Sequence, residues 1–111
     1  MKYLTQLLDL PYQIFKTIEG VDVYHYEKPA TKQAPYAIWK EEGDESFNSD
    51  NQKSERGLQG ILDYYTLDDI DPALDELEKA MEKMGASWQL TSSQYEEDTH
   101  LKHYSWDWTV S

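Results

Sequence analysis

Within the stretch Leu101-Lys102-His103-Tyr104-Ser105-Trp106-Asp107-Trp108-Thr109-Val110, large aromatic or aliphatic residues alternate with small polar ones from Tyr104 to Val110. Successive side chains of an extended chain point to opposite faces. Tyr104, Trp106, Trp108 and Val110 therefore share one face, and Ser105, Asp107 and Thr109 the other. Such a pattern predicts a strand whose sheet is covered on one side and solvated on the other.

Working back from this strand, Glu96-Glu97-Asp98 reads as an acidic turn, and residues 87–93 as the strand before it. Further upstream, Leu74, Leu77, Met81 and Met84, with Ala73 and Ala80 alongside, form an apolar stripe at helical spacing. Asp71-Pro72 supplies an N-cap and a proline suited to a first helical turn, and Gly85 a C-terminal cap, so a helix is expected from there to Met84. Residues 58–66 (LQGILDYYT) have strand character. Residues 41–57 hold Gly, Ser, Asn, Asp and Glu with Phe47 as the single apolar side chain, which predicts a long exposed loop or an extended hairpin tip. Residues 36–40 and 21–26 are aromatic and β-branched, and are expected to pair as a hairpin. Tyr3, Leu4, Leu7 and Leu8 predict a short amphipathic helix over residues 2–10, halted by Pro11. The order helix, three strands, helix, two strands implies an α+β fold in one domain spanning residues 1–111. It would contain an antiparallel or mixed sheet of about five strands, one long helix packed across it, and the short N-terminal helix.

The composition narrows the function. Apolar residues make up 39% of the chain and aromatics 14%, with nine Tyr and four Trp, so the chain is expected to fold despite a net charge of −12. With no Cys, thiolate metal sites and cysteine nucleophiles are excluded. Twenty-two acidic residues face nine Lys and the single Arg56, an unfavourable balance for binding a nucleic-acid backbone. Asp9, Pro11 and Gln13 interrupt the apolar stretch near the N-terminus, and no run approaches the roughly 20 apolar residues of a membrane span. Neither export by the usual route nor insertion in a membrane is expected.

The residues that carry chemistry are sparse. His25, His100 and His103 are the only histidines. His25 falls in a strand beside Val23 and Glu27, a setting for a half-buried structural histidine, and a three-residue spacing would set His100 and His103 on opposite faces of an extended strand. Asp98, His100 and His103 make at best a weak metal set, against the plainer reading of a solvated hairpin mouth. The acidic run Asp68-Asp69-Ile70-Asp71, followed by Asp75 and Glu76, lacks the alternating oxygen ligands and central glycine of a calcium loop, and fits capping of a helix start. Trp39, Trp88, Trp106 and Trp108 fit a core better than a ligand platform. No catalytic residue, cofactor or metal is expected.

The layout resembles the small tail-terminator, or tail-completion, proteins of long-tailed bacteriophages. The resemblance runs from about Tyr3 to Val110. It rests on the Val21-Asp22-Val23-Tyr24-His25 strand, on Ala34-Pro35-Tyr36-Ala37-Ile38-Trp39, and on Leu62-Asp63-Tyr64-Tyr65-Thr66 leading into the helix. Its last part is Tyr95-Glu96-Glu97-Asp98-Thr99, then Leu101 and His103 in the alternating aromatic strand. The resemblance implies a virion protein of the head-to-tail junction, assembled in the bacterial host cytoplasm. It would form a ring of identical subunits, commonly six, that caps the tail-tube protein and engages the head connector, or stopper, protein. The family has no catalytic residues to carry over. The candidate contact residues are Glu45, Phe47, Lys53 and Arg56 in the polar stretch, with Glu96 and Asp98 in the acidic turn. A second expectation rests on small size, the absence of Cys and the excess of Asp and Glu: a one-to-one inhibitor, immunity protein or DNA mimic.

Overall fold

The computed structural model describes residues 2–49 and 52–111, with the side chains of residues 45–49 and 52–55 outside the description. Its elements run α1 (Leu4–Lys16), β1 (Val23–His25), β2 (Tyr36–Ser49), β3 (Gln52–Thr66), α2 (Ala73–Lys83), β4 (Ser87–Glu96) and β5 (Leu101–Val110). The strands form one mixed sheet in the order β1-β2-β3-β5-β4. The α+β class, the five strands and the element order are as the sequence predicts.

The face carrying Trp106, Trp108 and Val110 is buried, as the alternation requires. It is completed by Ala37 and Trp39 of β2, by Leu58, Leu62 and Tyr64 of β3, and by Leu7 and Phe15 of α1 with Leu77, Met81 and Met84 of α2. Both helices therefore lie on the same side. Phe15 sits with its ring centroid 5.4 Å from Trp39 and 5.9 Å from Trp108, so α1 is anchored at the centre of the aromatic layer.

That anchoring corrects the expected end of the first helix. Pro11 lies inside α1, which continues to Lys16. Leu7, Pro11 and Phe15 recur at intervals of four and are the buried residues of the helix, while Tyr3 and Leu4 of the expected stripe are exposed. Proline deprives the Leu7 carbonyl of its usual donor. Burial of an apolar face against the sheet outweighs that local loss, which sequence signals alone do not weigh.

The expected β1–β2 hairpin is also corrected. These strands pair in parallel, Val23 with Ala37, Tyr24 with Ile38 and His25 with Trp39. A tight turn would have forced an antiparallel pair. The stretch between His25 and Tyr36 is instead long enough to carry the chain back along the sheet. Lys32 holds this return by an ion pair to Asp22 and a backbone bond to Pro29. Residues 41–57 take the extended-hairpin alternative: β2 and β3 stay in antiparallel register out to Ser49 opposite Gln52, with irregularities between Glu41 and Gly43 and between Phe47 and Asn48.

At the start of α2, Asp71 Oδ1 accepts the Ala73 N–H at 2.9 Å, the capping role expected of it. At its end Gly85 adopts φ +72°, and the Ala86 N–H reaches the Met81 carbonyl at 3.1 Å, a Schellman closure.

Candidate functional site

Because both helices cover one face, the alternate residues of the strands form a second face that no described element overlies. Tyr36, Ile38, Ile61, Asp63, Tyr65, His103 and Ser105 lie on it, all half-buried. Tyr36 stacks on Tyr65 at 4.9 Å, and Tyr65 on His103 at 4.2 Å, giving an aromatic row across β2, β3 and β5. One register step away, Asp63 Oδ1 takes the His103 ring nitrogen Nε2 at 2.8 Å and the Ser105 hydroxyl. Burial, then the charge of Asp63, pushes the Tyr65 phenol up to about 12, so it stays protonated through the physiological range.

Asp, His and Ser meeting on an open face invites comparison with a nucleophilic triad. The connectivity differs. Nε2 of His103 faces both Asp63 and Ser105, the latter at 3.4 Å, and Asp63 accepts from both neighbours. In a triad the imidazole bridges, using one nitrogen for the carboxylate and the other for the hydroxyl. Here Asp63 itself accepts the hydrogen bond from the hydroxyl, so the group is a hydrogen-bonded brace across β3 and β5.

The other histidines are also held by neighbours. His25 stacks flat on Trp39, with centroids 3.8 Å apart, and its Nε2 meets Glu41 Oε1 at 2.8 Å. Glu41 also accepts the Tyr26 hydroxyl. Burial alone would raise the Glu41 carboxyl, but these two bonds outweigh it and hold the group below its ordinary value. Glu27 lies beyond the end of β1 and takes no part in this arrangement. His100 falls in the turn before β5, at φ +61°, with Nδ1 2.8 Å from the Tyr95 hydroxyl. It is therefore not on a strand face, as the sequence suggested. Among the described residues no group of three or more His, Asp or Glu side chains is placed to hold a metal ion.

The sheet's borders are the second feature. Three-residue β1 covers β2 only up to Trp39, and β5 meets β3 only from Leu58 onward. Beyond those points β2 and β3 continue as a two-stranded ribbon with both outer edges bare among the described residues. The molecule is accordingly elongated, 51 Å in its longest dimension against 24 and 23 Å. Arg56 stands at the base of the ribbon, with Nε donating to Asp44 at 2.8 Å and a guanidinium nitrogen 3.4 Å from the Lys2 carbonyl. At the other border, β4 has β5 on one side only.

The six candidate contact residues fall into two groups. Glu45, Phe47 and Lys53 lie on the ribbon, opposite Gly57, Glu55 and Asn48 respectively, and their side chains fall outside the described residues. Arg56 joins them at the ribbon's base. Glu96 closes β4, where it accepts the Thr99 hydroxyl at 3.0 Å, and Asp98 is exposed in the turn. The turn adjoins the Thr66 end of β3, whereas the ribbon leaves from the Leu58 end, about 26 Å away at the usual rise per residue. The fold therefore does not bring the two groups together. The aromatic row and the Asp63 brace escaped the sequence reading because they depend on which strands are neighbours. Compared with protein-family models and with curated proteins, the chain matches none.

Proposed function

We propose that this chain is a structural assembly protein of a phage or prophage. It would act as a tail-terminator or head-to-tail joining subunit that forms a ring on the tail tube and meets the head connector. The observation that carries the reading is the β2–β3 ribbon, which continues past the sheet with no further strand beside it among the described residues. Bare strand edges are the ordinary means by which one chain adds to another's sheet. A ribbon projecting from one end, repeated head to tail, closes a ring when the rotation permits. The acidic composition suits a passage for DNA: if part of the −12 on each of six copies faces the channel, it would repel a polyanion from the wall.

The test is to add the purified chain to tail tubes lacking their terminal ring and image the tube ends. Rings at one end are expected, and so is their loss when residues 47–55 are replaced by a two-residue Asn-Gly turn joining the paired Ser46 and Arg56. Because the aromatic core lies outside that segment, the shortened chain should retain its thermal transition. Bare tube ends, together with tight one-to-one inhibition of a nuclease, would overturn the reading in favour of the acidic inhibitor.

A further inference from the structure

Among the described residues β4 is the longest bare border of the sheet proper, and its sequence is unusual for this chain. From Met84 to Tyr95 there are twelve consecutive residues without a charge, the longest such run in a protein with 32 ionisable Asp, Glu, Lys and Arg side chains. Natural sheets guard their edges with Lys, Pro, inward-pointing charge or a bulge. Of these β4 has only a bulge, between Leu90 and Ser92, and its first charge is Glu96 at the last position. Leu90 and Tyr95 on this strand are 47% and 55% exposed.

The register supplies a second observation. Leu90 is opposite Trp106, Ser93 opposite Tyr104 and Tyr95 opposite Lys102, so these three β4 residues point to the helix-covered side. A bulge between Leu90 and Ser92 brings residues five apart onto one face, and the Thr91 hydroxyl closes it by donating to the Ser105 carbonyl at 3.1 Å. Laid antiparallel against an identical strand, this edge matches itself in one register. Ser93 lies on the two-fold axis, the bulged pair Thr91 and Ser92 faces Gln94, and Leu90 faces Tyr95 of the second copy. Both exposed apolar side chains then gain a cross-strand partner on the same face. Gln89 meets Glu96, so no two carboxylates oppose one another. We propose that β4 is a self-complementary edge, through which two copies of this chain pair about a two-fold axis into a continuous ten-stranded sheet. The contact requires no phage component and is independent of the ring.

The protein contains no cysteine, so each introduced thiol is the only one present. Ser93→Cys should oxidise to a covalent dimer, because a symmetric pair on facing strands meets disulfide geometry. Glu82→Cys, exposed on α2, should yield several-fold less. Mixed Leu90→Cys and Tyr95→Cys chains should cross-link to each other more than either does to itself. Sedimentation of the unmodified chain should show a reversible dimer, weakened several-fold by Ser93→Lys, which sets two ammonium groups face to face. A monomer throughout, with Ser93→Cys linking no better than the control, would overturn the proposal. So would efficient linking without preference for the mixed pair. Neither result bears on rings at tube ends.

Discussion

The phenol of Tyr64 donates to Asp71 Oδ2 across 2.6 Å in a buried hydrogen bond, tying the end of β3 to the start of α2. The same oxygen accepts the Thr66 hydroxyl at 2.7 Å, while Oδ1 caps Ala73. One carboxylate, 8% exposed, thus fixes how the chain leaves the sheet and enters the helix. Burial would raise its pKa. The bonds from Tyr64, Thr66 and Ala73 outweigh burial and hold it below the ordinary 3.8.

Asp71→Ala should therefore destabilise the fold by about 1–3 kcal/mol, since it leaves two buried hydroxyls and a helix-start amide without their acceptor. Asp71→Asn keeps the shape but loses the charge, and should fall between the two. Chemical denaturation at neutral pH measures both.

The pH dependence follows from the sign of the shift. Asp71 and Glu41 both titrate lower in the folded chain than in the unfolded one, so their contribution is fully present above their ordinary values of 3.8 and 4.5. It disappears as the pH falls through the folded values. The gap in thermal midpoint between the unmodified chain and Asp71→Asn should be constant near neutrality and close below pH 3.8. A gap that widens in acid would contradict the hydrogen bonding described.

Gly60 faces Trp108 across the β3–β5 pair, and a Cβ at Gly60 would stand 2.1 Å from the indole. The indole is buried on all sides and has nowhere to retreat. Gly60→Ala should cost about 1–3 kcal/mol, lowering the melting temperature by roughly 4–8 °C per kcal/mol for a chain of this size. Near-UV circular dichroism should show the tryptophan environment disturbed.

Trp106 and Trp108 are equally buried but differently bonded. Trp106 donates its Nε1–H to Glu78 at 2.9 Å, whereas Nε1 of Trp108 has no partner, alone among the buried side-chain polar atoms of the described residues. Trp106→Phe loses volume and a charge-assisted bond, while Trp108→Phe loses volume and an orphan donor. Trp106→Phe should be the more destabilising by about 1 kcal/mol, as read from parallel denaturant titrations.

Much of this fold is legible locally. Alternation in β5, the stripe of α2 and the caps at Asp71 and Gly85 are each set within a few residues, where side-chain direction and backbone geometry follow from spacing alone. Elsewhere distant contacts outweigh local preference. Pro11 reads as a stop, yet Leu7, Pro11 and Phe15 gain more from the aromatic layer than the helix loses in one hydrogen bond. The parallel β1–β2 pair and the row Tyr36-Tyr65-His103 depend on strand order, which no stretch of sequence encodes by itself.

By itself, then, the sequence determined which residues turn inward, where α2 begins and ends, and that thiolate chemistry is absent. Tertiary structure decided which strand ends stay bare, that both helices share one side, and that the ribbon and the acidic turn lie at opposite ends. The physical reason is range: periodicity and capping act between near neighbours along the chain, whereas an edge is defined only by which strand fails to arrive beside it.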